Sequence, residues 1–207
     1  ADITQVTATD NCAGDITIDF VDDVSDGATC PETITRTYSA TDVCDNTSEC
    51  TQVITIDDTT SPTITCPADL TFECIADVPA PDTTLVSVSD NCAGDLFIEF
   101  VDDASAGTCP EVITRTYQVT DECGNTAQCA QTITIEDTTP PTITCPADLT
   151  FECIADVPAP DTTLVSVTDN CADDLFIEFV DDASAGTCPE VITRTYQVTD
   201  ECGNTTD

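Results

Sequence analysis

The sequence predicts an all-β fold, a tandem array of antiparallel β-sandwich repeats stapled by disulfides and arranged end to end. Three observations carry that expectation. The stretch 63–126 is written again as 142–205, an offset of 79 (142−63=79), with only Ser89 changed to Thr168 and Gly94 to Asp173. A looser copy comes first, since Asp10, Asn11 and Cys12 return as Asp90, Asn91 and Cys92, and again as Asp169, Asn170 and Cys171. Apolar residues recur with a period of two, never 3.6, between turn signals. Finally, 15 cysteines stand in 207 residues with no His and no Cys-x-x-Cys pair, a pattern of disulfides rather than zinc.

The repeat divides the chain into 1–57, an incomplete copy lacking its first strand; 58–137, a complete one; and 138–207, lacking its last strand. The expectation is a window on a longer polymer of units, with the odd cysteine count left by the truncated copies. Cysteine density points to an extracellular or cell-surface location. A net charge of −38, with three Arg and no Lys, excludes nucleic acid as a partner and argues against membrane insertion. The same charge invites cations.

In the complete copy, 63–66 and 70–74 read as one edge strand broken by Pro67. A Pro-rich turn spans 76–82, a second strand 85–88, and an acidic turn 90–95. The apolar run 96–101 predicts a strand covered on both faces, followed by a loop from 102 to 110. Over 112–120, Ile113, Arg115, Tyr117 and Val119 share one face and Thr114, Thr116, Gln118 and Thr120 the other. A turn at 121–125 leads into the last strand, 126–135. The connectors 57–62 and 136–141 are short and Pro-stiffened, unlike Gly/Ser tethers.

The Asp-Asn-Cys turn, the Cys-Pro step, the Ile-Thr-Arg-Thr-Tyr strand, the Asp-x-Cys-Gly-Asn turn and the Asp-Thr-Thr-Pro-Pro linker together resemble HYR-like immunoglobulin-type repeats of bacterial surface and secreted proteins. The resemblance covers essentially the whole chain. It implies Ig-like sandwiches in a fibre, stalk or adhesin, and brings no catalytic residues. The first copy departs from the pattern with Asp45 where Gly124 and Gly203 stand, which predicts a looser turn.

Strand direction assigns each cysteine to one end of its copy. The turns at 90–95 and 121–125 fall at the entry pole, and Cys74 falls with the 102–110 loop at the exit pole. A strand separates its ends by about 20 Å, whereas a bridge needs Cα atoms within about 7 Å. That disfavours Cys92 with Cys109, and Cys66 with Cys74 where the edge strand is extended. The preferred pairs are Cys92–Cys123, Cys66–Cys129 and Cys74–Cys109, with Cys12–Cys44, Cys153–Cys188 and Cys171–Cys202 by the same rule. Cys30, Cys50 and Cys145 are left without partners, and a local Cys123–Cys129 bridge is the rival.

Three further constellations bear on function. At the entry poles, Asp57, Asp58, Asp90, Asn91 and Asp121, and again Asp137, Asp169, Asn170 and Asp200, offer the oxygen donors calcium prefers. The bland alternative is turn-capping and solvation. The lone basic residue of each copy, Arg36, Arg115 or Arg194, lies on an apolar strand face, with Asp19, Glu99 or Glu178 as its expected ion-pair partner. Thr-x-Thr alternations suit strand surfaces and also offer glycan acceptors, and Asn46 and Asn204 head N-glycan sequons. No nucleophile stands beside a base, so an enzyme is not expected. The reading is a structural segment of an extracellular fibre, stalk or surface adhesin shaft, with neighbouring copies of the repeat as partners. A filament subunit joined by strand complementation and an adhesive or carbohydrate-binding module are the alternatives.

Overall fold

The computed structural model describes residues 2–11, 14–92, 94–171 and 174–207. Regular structure among them is β-strand with short 3₁₀ turns. The first copy holds β1 (Thr17–Ser25), β2 (Glu32–Thr41) and β3 (Thr47–Ile56). The middle copy holds β4 (Thr63–Thr65), β5 (Leu70–Phe72), β6 (Ser87–Ser89), β7 (Phe97–Ala106), β8 (Glu111–Thr120) and β9 (Thr126–Ile135). The last holds β10 (Thr142–Thr144), β11 (Ser166–Thr168), β12 (Phe176–Ala185), β13 (Val191–Thr199) and β14 (Thr205–Thr206). No helix among the described residues is long and apolar enough to cross a membrane.

The middle copy is built from a β4–β6 pair and a four-stranded sheet in the order β5-β9-β8-β7. The interruption at Pro67 has a definite consequence. Its first piece, β4, pairs antiparallel with β6, while its second, β5, pairs parallel with β9. One sequence segment therefore joins both sheets, and the larger sheet is mixed rather than wholly antiparallel. The expected strand at 85–88 begins later, because Thr83–Leu85 forms a 3₁₀ turn capped by Asp82, whose carboxylate accepts from the Thr84 amide at 2.9 Å.

β8 obeys its alternation: Ile113, Arg115, Tyr117 and Val119 are buried. Ile113, Ile133 and Ile135 form a small core with Leu70, Phe72 and Val78 packed on it. Gln131, also buried, donates its amide to the Ala68 carbonyl at 2.7 Å, so its burial leaves no donor stranded. The run at 96–101 departs from expectation. It belongs to β7, which continues to Ala106 through Asp102 and Asp103, lies at the sheet edge, and leaves Phe97 and Val101 exposed. An edge position removes the cover that the apolar composition suggested.

The β8–β9 hairpin turns on Gly124 at φ 84°, the left-handed region glycine enters without penalty. In the first copy Asp45 occupies that conformation at φ 65°, yet the turn keeps the same bonds, with the Asn46 amide and side chain donating to Asp42 at 2.9 and 2.8 Å. Asp tolerates the left-handed region better than most residues, so the turn survives without glycine.

By contact density the chain forms two compact units. One comprises Ala1–Thr65, Ser87–Glu99 and Gln118–Gln128; the other comprises Cys66–Val86, Phe100–Tyr117 and Cys129–Asp207. The connector 57–62 lies inside the first and 136–141 inside the second. Each connector is thus packed between the exit pole of one copy and the entry pole of the next.

Candidate functional site at the joints between copies

The bridges define the joints. Cys30 is bonded to Cys123 and Cys109 to Cys202, each across 93 residues, with Cα atoms 5.1 and 5.2 Å apart. Cys74 is bonded to Cys171 across 97 residues at 5.3 Å, and Cys66 to Cys129 across 63 residues at 5.6 Å. Only the last stays within one copy. The other three separations exceed the repeat length, so each joins a copy to its successor.

These bonds correct most of the expected pairing. Cys123 is held by Cys30 rather than Cys92 or Cys129; Cys74 and Cys109 are bonded to Cys171 and Cys202, not to each other. Cys171 and Cys202 likewise are not paired together, and Cys92, Cys153 and Cys188 are free. The expected Cys12–Cys44 pair falls on Cys12, outside the described residues, and Cys44 is free. Cys50 and Cys145 are unpaired. Strand parity places each cysteine at a pole, and the expected pairs assume partners within one copy. With a short packed connector, the exit pole of one copy lies against the entry pole of the next, and the shortest bridges run across the joint.

At the second joint, Asp137 from the connector, Asp169 from the turn after β11 and Asp200 from the turn after β13 converge. One carboxylate oxygen of each lies within 4.8 Å of the others. The residues around them set the geometry. Asn204 donates its side-chain amide to the Asp137 carbonyl and to Asp200 Oδ2, both at 2.8 Å, pinning connector to hairpin. Asp137 Oδ1 accepts from the Thr139 amide at 3.0 Å and from Asn170 Nδ2 at 3.3 Å. Asp137 is 5% exposed and Asp200 6%. Asp137 Oδ2 and both oxygens of Asp169 are buried without a hydrogen-bond partner. Burial, with the charge of Asp137 beside it, raises the Asp169 carboxyl above its ordinary value.

The first joint repeats this with Asp58, Asp90 and Asp121, all half-buried. Asn125 bonds the Asp58 carbonyl and Asp121 Oδ2 at 2.9 Å each, and Asp90 Oδ1 is buried without a partner. The Thr60 backbone amide, assisted by Cys92 and Asn91, holds Asp58 below the usual carboxylate range. Asp58 in turn pushes the free Cys92 thiol up. A cavity of about 200 Å³ opens here, lined by Thr29, Cys30, Asp58, Asp90, Cys92 and Asp121 among others.

The acids singled out in sequence are therefore assembled, with two changes. Asp57 is exposed and outside the triad. Asn91 and Asn170 give N–H donors, to Asp58 Oδ1 at 3.4 Å and Asp137 Oδ1 at 3.3 Å, and so orient the acids rather than adding an oxygen. Missed in sequence were Asn125 and Asn204, legible in the Asp-x-Cys-Gly-Asn turn, and Glu73. The carboxylate of Glu73 accepts from the Thr138 amide at 2.9 Å and hydroxyl at 3.0 Å, tying the exit pole of the middle copy to the connector.

The arginines also take other partners than expected. Arg36 pairs with Asp23, Arg115 with Asp103 and Arg194 with Asp182, at 2.7 to 2.8 Å, not with Asp19, Glu99 or Glu178. In β1 and β12 the register shifts after Phe20 and Phe179, which resets the alternation and brings Asp23 opposite Arg36 and Asp182 opposite Arg194. Glu99 instead accepts from Gln118 at 3.1 Å.

The model of the HYR-like domain with 4 cysteines matches residues 62–135 and again 141–207. The chain belongs to that family: it is a tandem array of HYR-like, Ig-type repeats. No curated protein matches it. Such repeats are structural, extracellular modules, and the four disulfides among the described residues accord with a non-cytosolic compartment.

Proposed function

We propose that this chain is a non-enzymatic, tension-bearing segment of an extracellular fibre, stalk or surface adhesin shaft. The observation supporting it is the interleaving of bridges. Between Cys30 and Cys202 the backbone runs 172 residues (202−30=172). The covalent route is far shorter: across Cys30–Cys123, back 14 residues to Cys109 (123−109=14), and across Cys109–Cys202. At about 3.5 Å per extended residue the two paths measure roughly 600 and 50 Å. Force along the chain cannot pay out the intervening backbone while the bridges hold.

Stretching a single oxidised chain between handles at its two ends tests the shaft reading. Reduction should lengthen the fully extended chain roughly fourfold, since only the end segments and the 109–123 stretch remain extensible beforehand. Equal lengths before and after reduction would refute it.

A further inference from the structure

We infer that the second joint binds one hard divalent cation of the calcium class, held by Asp137, Asp169 and Asp200. The inference stands apart from the tension reading, which rests on the bridges alone. Two independent observations meet at these positions. The triad brings three carboxylate oxygens within 4.8 Å of one another. Calcium–oxygen distances of 2.3–2.6 Å put opposite ligands up to about 5 Å apart, so one ion reaches all three.

The second observation is the set of stranded oxygens. Asp137, nine-tenths buried and more, has Oδ2 unsatisfied, and Asp169 has both of its oxygens unsatisfied. At the first joint the acids are half-buried, and only Asp90 Oδ1 among their oxygens is buried without a partner. Native proteins rarely bury carboxylate oxygens without a donor or a cation. The protein offers no cation of its own, because its three basic residues are all arginines already engaged by Asp23, Asp103 and Asp182.

The surrounding donors behave as an outer shell. Asn204 holds both oxygens of Asp200, one through its backbone amide and one through its side chain, and Thr139 holds Asp137 Oδ1. They fix Asp200 and Asp137 in place, while Asp137 Oδ2 and the two Asp169 oxygens keep no donor. An all-oxygen set favours a hard ion, and water or carbonyl groups complete the six to eight ligands calcium takes.

The test uses the full oxidised chain, stripped with EDTA and dialysed, then titrated calorimetrically with calcium chloride and, separately, magnesium chloride. One equivalent of calcium is expected at the second joint, so Asp169→Asn should bind one fewer than the parent, with magnesium binding at least tenfold more weakly. Thermal melting gives a readout that a purely structural role would not reproduce. Asp169→Asn should raise Tm in EDTA, where it relieves crowded charge, and lower it relative to the parent in calcium, where it removes a ligand. No stoichiometric binding at millimolar calcium, tighter binding of magnesium, or an equal loss of Tm by Asp169→Asn in both conditions would overturn the assignment.

Discussion

The two joints are built from the same motif yet differ in closure. At the second, Cys109–Cys202 and Cys74–Cys171 both cross, Glu73 grips the connector, and Asp137 and Asp200 are buried. At the first, Cys30–Cys123 is the crossing bond among the described residues, Cys92 is free, the acidic triad is half-buried beside an open cavity, and residues 1–57 hold no counterpart of the segment that carries Glu73 and Cys74. The acids, the asparagine clamps and the hairpin turns are common to both, so these do not decide burial. What differs is the segment that carries Cys74 and Glu73. A second crossing bond, with the chain that delivers it, covers the carboxylates.

Cutting that bond is the largest change available. Replacing Cys74 and Cys171 together by serine should make the second joint resemble the first. Closing a loop of this size contributes about 4–5 kcal/mol in the chain-entropy model, so urea unfolding should show a loss of up to about 4 kcal/mol. An unchanged midpoint would mean the bridge is not what distinguishes the joints.

The arginines give a smaller contrast of the same kind. Arg115 is 4% exposed, paired with Asp103 and also donating to the Pro79 carbonyl at 2.9 Å, whereas Arg36 is 21% exposed. Arg115→Met should cost about 2 kcal/mol in chemical denaturation, because it strands Asp103 and Pro79. Arg36→Met should shift the midpoint less, its Asp23 partner having solvent to turn to. Equal losses at the two positions would break the link between burial and worth.

Glu73→Gln comes next, with a modest drop in Tm expected at neutral pH, since a neutral amide accepts more weakly from Thr138. Acid should act in the same direction. The Thr138 amide lowers Glu73, the Asn46 side chain lowers Asp42, and the Thr84 and Thr163 hydroxyls lower Asp82 and Asp161. Arg36 and Arg194 lower Asp23 and Asp182. A carboxyl lowered on folding stabilises fully above its unfolded value and loses that contribution as pH falls through the folded one. Thermal stability should therefore decline as pH drops below about 4, and Glu73→Gln should show a shallower decline. A parallel decline in the variant would remove Glu73 from the account.

Much of this was legible in the residues, and the failures share a cause. Alternation over Ile113 to Val119 identified the buried face, including the unusual place of Arg115. The repeat and strand direction put Cys74 and Cys109 at one pole and Cys171 and Cys202 at the other, yet pairing depends on which poles face each other. That is a property of connector packing, which no single copy encodes. The acid opposite Arg36 was misjudged because a register shift after Phe20 is invisible to a strict period of two. Glu73 gave no local signal, being one of 41 acidic residues. The triads were foreseeable because their acids recur at every entry turn; the clamping role of Asn125 and Asn204 needed the fold.

Covalent linkage from each copy to the next is tested most directly by mapping bridges in the oxidised chain after cleavage at Arg and Glu. Cleavage there releases 1–32, carrying Cys12 and Cys30, and 123–136, carrying Cys123 and Cys129. The account predicts that these two fragments are recovered bonded together through Cys30 and Cys123, with Cys129 holding the fragment that bears Cys66. Recovery of Cys123 joined instead to Cys92, within its own copy, would contradict it.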